Sequence, residues 1–85
     1  MKILIPGALR SYTERSLTDA HGATLGAMLA DLDRQYSGIR FRIIDEQERI
    51  RRNIRIFVNG GQVHDLAHAL AESDEVVIVL ALSGG

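Results

Sequence analysis

Cysteine is absent from the 85-residue chain. That one absence excludes a disulfide framework, a thiolate nucleophile, a Cys-bound zinc and an iron–sulfur cluster. Tryptophan is absent too, and Phe41 and Phe57 are the only phenylalanines, so a platform for stacking nucleobases is thin. Long apolar runs are missing. The longest, Val76 to Leu82, is far shorter than the roughly 20 residues of a membrane-spanning helix. Residues 3–5 are apolar but Pro6 stops them, so no secretory leader is expected. Neither sign of charge dominates: ten basic residues against eleven acidic leave a net charge of −1, which does not suggest a polyanion binder. Lysine is nearly missing, with Lys2 alone against nine arginines. The expectation is a soluble, cytoplasmic protein with no nucleic-acid partner and no membrane partner.

What is present is ordinarily globular: 46% hydrophobic and 25% charged residues, too apolar for a disordered chain. The length suits one small domain, residues 1–85. Charge is unevenly distributed along it. Arg40, Arg42, Arg49, Arg51, Arg52 and Arg55 crowd one stretch, while Asp65, Glu72, Asp74 and Glu75 follow with no further arginine or lysine. A basic face and an acidic face of this kind suit protein docking better than DNA binding.

Residues 2–6 predict a short strand ended by Pro6-Gly7. Residues 8–15 are polar and read as irregular. Ser16 to Ala20 predict a second strand with Leu17 facing inward. Leu25, Met28, Leu29, Leu32 and Tyr36 then recur at helical spacing, which puts them on one face of a helix capped by Thr24 and stopped near Gly38. Residues 39–53 predict a short helical turn and a loop. Ile54, Ile56 and Val58 alternate as a half-buried strand. Asn59-Gly60-Gly61 turns the chain, because Asn and Gly accept the positive φ of a tight hairpin. A return strand follows from Gln62, then one helical turn over Asp65–Leu70. Val76 to Leu80, apolar throughout, predicts a central strand buried on both faces. This order gives an α+β fold of the β-grasp type, a mixed sheet of four to five strands around one main helix.

Side chains with chemistry of their own are few. His64 and His68 are four apart with Asp65 between them, but a metal site needs a third ligand and a longer helix, so no metal is expected. His21 stands alone beside Gly22. None of Ser11, Ser16, Ser37 and Ser73 sits in a nucleophile elbow, and no phosphate-binding glycine loop occurs. Asp31/Asp33 and Asp45/Glu46/Glu48 lie in polar stretches and are expected to face water.

The end of the chain is different. Ser83-Gly84-Gly85 follows directly on the last apolar strand. Two residues without Cβ make a thin, flexible arm ending in a carboxylate. At about 3.3–3.6 Å per residue it reaches some 10 Å past the sheet, far enough to enter a narrow channel in a partner enzyme.

With that ending, the chain resembles the ubiquitin-like sulfur-carrier proteins of the MoaD/ThiS family, and its cysteine-biosynthesis branch most of all. The residues that bear the resemblance are Thr24-Leu25-Gly26, Tyr36-Ser37-Gly38-Ile39, Ile56-Phe57-Val58-Asn59, Asp74-Glu75-Val76 and Ser83-Gly84-Gly85. Two positions depart from the family's pattern: Ser73 replaces the usual glycine before the aspartate of the last turn, and Leu80 stands where a proline is frequent.

The resemblance implies a carrier, not a catalyst. An E1-like adenylyltransferase/sulfurtransferase would adenylate the Gly85 carboxylate with ATP, the carrier itself binding no cofactor. The acyl-adenylate would become a thiocarboxylate, and a sulfur-acceptor biosynthetic enzyme would take the sulfur. Ser83 and Gly84 would thread the channel. Phe57 and Arg55, outward on the sheet beside the tail, are the candidate docking pair. Three alternatives remain: a molybdopterin synthase small subunit or other thiolation carrier, a protein modifier joined to lysines, and a β-grasp interaction domain with an inert tail.

Overall fold

The structure, a computed structural model, describes residues 1–81. Five strands form one mixed sheet: β1 (Lys2–Leu4), β2 (Leu17–Asp19), β3 (Ile54–Val58), β4 (Gly61–Val63) and β5 (Glu75–Leu80). Their order across the sheet is β2-β1-β5-β3-β4. β1 and β5 run parallel, and the other neighbours run antiparallel. The main helix, α2 (Leu25–Gln35), covers one face. Two shorter helices accompany it: α1 (Arg10–Thr13) and α3 (Ile39–Ile43). The α+β reading and the β-grasp architecture hold.

The core lies between α2 and one face of the sheet. Leu25, Met28, Leu29 and Leu32 of α2 are buried against Ile3, Ile56, Val76 and Ile78, with Ile39, Ile43 and Ile44 closing one side. Each such side chain removed from water contributes about 1.5–3 kcal/mol. The buried hydroxyl of Thr18 is satisfied by that of Tyr36 at 2.8 Å, and no buried side-chain polar atom among the described residues lacks a partner.

The N-terminus of α2 is closed by a distant segment. Thr24 Oγ1 accepts from the Ala27 N–H at 3.1 Å, as its N-cap position requires. The Leu25 and Gly26 N–H groups donate to His68 O and Leu66 O at 2.9 and 2.8 Å. Met28 N–H reaches Thr24 O at 2.9 Å, so all four first-turn donors are paired. A Cβ on Gly26 would lie 3.3 Å from Leu66 O, and glycine there lets the segment sit close over the helix.

That segment corrects an expectation. Asp65–Leu70 is not a helical turn but a strap of turns, with Leu70 N–H on Ala23 O at 2.9 Å. Its Leu66 and His68 carbonyls satisfy α2, and Asp65 O accepts from the His68 N–H at 3.1 Å within the strap. The hairpin after β3 behaves as read: Asn59 and Gly60 take φ of +50° and +87°, the mirror-image turn that matches strand twist.

Three further expectations change. Residues 8–15 are not irregular, since a 3-10 turn at Gly7–Leu9 leads into α1. In β2 the phase is reversed: Thr18 is buried and Leu17 is exposed. The Tyr36 hydroxyl supplies the partner that makes an inward threonine tolerable. β5 is central, but only Val76 and Ile78 are buried, while Val77 and Val79 line an uncovered face.

Candidate functional site

The sheet has one covered face and one open face, and register lines up the open one. Leu17, Leu4, Val77, Phe57 and Gln62 are successive cross-strand partners in a single row through all five strands. Leu17, Leu4 and Val79 are 45%, 41% and 38% exposed, and Phe57 and Val77 are half-buried. To one side lies a polar row in which Lys2 stands between Asp19 and Glu75. To the other side, Arg55 is paired with Val79. An apolar stripe between charged margins is a shape that buries area against a partner and uses the margins to set orientation.

Both members of the expected docking pair, Phe57 and Arg55, lie on this face. Phe57 is flanked by Val77 and Gln62 and is half-buried, not fully exposed. The Arg55 guanidinium is held back, its Nη1 donating to Arg52 O at 2.6 Å and Ile54 O at 3.1 Å. Sequence reasoning missed Leu4 and Leu17, the most exposed apolar members of the row. The Ile3–Leu4–Ile5 run hides its alternation because every position is apolar, and Leu17 was hidden by the reversed phase of β2.

The open face leads to the root of the tail. Leu80 pairs with Ile54, and the Ala81 N–H donates to Asn53 O at 2.7 Å. Where proline is frequent in the family, Leu80 therefore carries strand pairing to the edge of the described residues. Ser83, Gly84 and Gly85 lie outside those residues. Two shallow depressions border the root. One, of about 380 Å³, is formed by Leu4, Pro6, Arg10, Val79 and Leu80, among others. Leu9, Phe41, Arg42, Arg51 and Asn53 form the other, of about 390 Å³.

At the far end of β5 the turn before it is locked. Asp74 accepts from Ala71 N–H at 2.8 Å and Asn59 Nδ2 at 2.9 Å, while Asn59 Oδ1 accepts from Glu75 N–H at 3.0 Å. The Ala71 amide, then Asn59, and weakly His68, hold the Asp74 carboxyl below its usual range. Ser73 in this turn takes no positive φ, so nothing in the backbone demands the family's glycine there.

The remaining candidates stay apart. His64 and His68 are exposed and on no helix, and His21 Nδ1 lies 3.1 Å from Glu72. No group of three metal-ligating side chains occurs among the described residues. Of the carboxylates expected only to face water, Asp31, Asp33, Asp45 and Glu48 have structural partners. Asp31 accepts from the His21 N–H, Asp33 from Gly38 and Arg40 N–H, and Asp45 from Gln47 and Arg49 N–H. The His21 amide, with help from Arg34 and Gln35, lowers the Asp31 pKa. Among the described residues no helix is long and apolar enough to cross a membrane.

Comparison with known proteins finds sulfur carriers at 30–39% identity, and the same fold in small archaeal modifier proteins at 21–25% identity. The model of the ThiS family matches residues 3–85. The sulfur carrier protein CysO of Mycobacterium tuberculosis is 39% identical over 90 residues, covering 98% of this chain and 96% of that protein. The crystal structure of M. tuberculosis CysO superposes with a TM-score of 0.90 at 37% identity, covering 95% of this chain and 98% of the other. A chain of the BexX/CysO complex from Amycolatopsis orientalis gives 0.91 at 30% identity, covering 99% and 98%.

Proposed function

The chain belongs to the ThiS family, and from that premise we propose that it is a sulfur carrier whose working group is the Gly85 carboxylate. It acts with partner enzymes and is not itself a catalyst. The carboxylate oxygen attacks the α-phosphorus of ATP on an E1-like adenylyltransferase, and pyrophosphate leaves. A sulfide-level donor then attacks the acyl carbon and displaces AMP, leaving a thiocarboxylate. An acceptor enzyme of cysteine-type biosynthesis takes the sulfur, and water restores the carboxylate. No step needs a side chain of the carrier, which accords with the lack of cysteine.

The observation that bears most weight is the identity to named sulfur carriers over nearly the whole chain. The body supports it. The open row Leu17–Leu4–Val77–Phe57 offers a partner the area that a thin arm lacks, and a CysO has been crystallised in complex with BexX. Ser83 and Gly84 thread the channel because glycine adds no width and restricts the backbone least.

The test is ATP–pyrophosphate exchange with the cognate adenylating enzyme. Deleting Gly85, or appending one residue, abolishes exchange and leaves the fold intact. Undiminished exchange by the truncated chain would sink the reading. Intact mass of the protein from its native host, with one oxygen replaced by sulfur, identifies the thiocarboxylate directly.

A further inference from the structure

Charge on this molecule is segregated along β5. At the Glu75 end lie the carboxylates of Asp19, Asp31, Glu72, Asp74 and Glu75, brought together by the β1–β2 and β1–β5 registers and by the His21 contacts to Asp31 and Glu72. Arg34 is bound to Asp31, and Lys2 sits between Asp19 and Glu75. The Leu80 end lies roughly 17 Å away, at about 3.4 Å per residue. There the bases gather.

Arg42 and Arg51 share a depression with Asn53, whose carbonyl holds Ala81. Arg10 lines the neighbouring depression with Leu80. Arg52 precedes Asn53, and Arg55 is one pair in from the strand end. Nearby carboxylates offset these bases only in part. Glu48 is paired with Arg40 at 2.9 Å, while Asp45 and Asp65 keep their charge and share depressions with Arg51 and Arg52, so the arginines remain in excess.

Resting on the carrier reading, we infer that Arg10, Arg42, Arg51, Arg52 and Arg55 form a basic collar around the root of the tail, and that it docks on an acidic rim at the mouth of the adenylating enzyme's channel. A tail ending in a carboxylate is repelled by such a rim. Five guanidiniums around its root reverse that sign, and the acidic far end turns the body so that the tail arrives first. Nucleic acid is the poorer occupant. Phe41, the exposed aromatic of the collar, already has Arg51 over its ring at 4.6 Å, and the acidic end opposes a long polyanion. A free nucleotide finds open depressions and no enclosed pocket among the described residues. The depression of about 690 Å³ formed by Arg49, Arg51, Arg52 and Arg55 also holds Glu48 and Asp65, which oppose a phosphate.

The experiment is stopped-flow association of the full-length carrier with the cognate adenylating enzyme over a range of salt. Arg42→Gln/Arg52→Gln is compared with Arg42→Glu/Arg52→Glu. Both side chains are exposed and make no hydrogen bond among the described residues, so thermal melting stays at the parent's value. The Gln pair lowers the association rate at low salt about 10-fold and flattens its salt dependence; the Glu pair lowers it further, and dissociation changes little. An association rate and salt slope equal to the parent's, with the parent binding normally, overturn the collar and leave the carrier reading standing. Failure of the parent to bind overturns both. Retention of a single-stranded oligonucleotide by the parent and its loss in the Gln pair would assign these arginines to nucleic acid and also overturn the proposal.

Discussion

β3 and β5 each present two faces made of similar residues in dissimilar surroundings. Ile54, Ile56, Val58, Val76 and Ile78 point under α2 and are buried. Phe57, Val77 and Val79 alternate with them, are equally apolar, and have no helix over them among the described residues. Apolarity is thus spent on folding on one side and left available on the other. A small domain that surrenders part of its apolar surface in this way has reason to keep it, because exposed apolar rows invite association. The difference lies in coverage, not composition.

The comparison breaks if the two faces respond alike to truncation. Ile56→Ala removes a fully buried side chain and is expected to destabilise the domain by about 2–5 kcal/mol in urea unfolding. Partner affinity, measured where the protein is folded, changes little. Phe57→Ala is expected to do the reverse, weakening binding to the adenylating enzyme by about 1–3 kcal/mol in calorimetry, with a smaller loss of stability than Ile56→Ala. Equal stability losses at the two positions would mean that the open face is structural.

A third change sharpens the comparison at the polar margin. The Ala71 amide and the Asn59 side chain hold the Asp74 carboxyl below its ordinary range in the fold, so as pH falls the unfolded chain takes up the proton first. The contribution is complete above the unfolded pKa and is lost as pH drops through the folded one. In Asp74→Asn the urea midpoint is expected to fall less steeply between pH 5 and 2 than in the parent, about these pKa values. The group is exposed, so this is the smallest of the effects. An identical pH profile would show that the turn before β5 does not depend on the ionised carboxylate.

Legibility in the sequence followed locality. α2 was readable because Leu25, Met28, Leu29 and Leu32 repeat at helical spacing and Thr24 caps them within one turn. The Asn59-Gly60 hairpin was readable because two residues decide its φ angles. Leu17 was misread because the inward partner of Thr18 is Tyr36, eighteen residues on. The Asp65–Leu70 strap was misread for a similar reason, its hydrogen bonds going to Ala23, Leu25 and Gly26. The outward placement of Phe57 and Arg55 followed from alternation, and their choice as a docking pair from the family resemblance, whereas Leu4 and Leu17 needed the register.

The sequence by itself determined the order of the strands, the main helix with its cap, the tight hairpin, and the chemistry excluded by the absence of cysteine. These depend on backbone preferences and side-chain periods acting over a few residues. Only the tertiary structure decided which sheet face stays open, that four strands contribute to one apolar row, and that the arginines gather where β5 ends. Those are matters of register and crossover, in which residues far apart in the chain come to share one surface. No local pattern records which neighbour a strand will have.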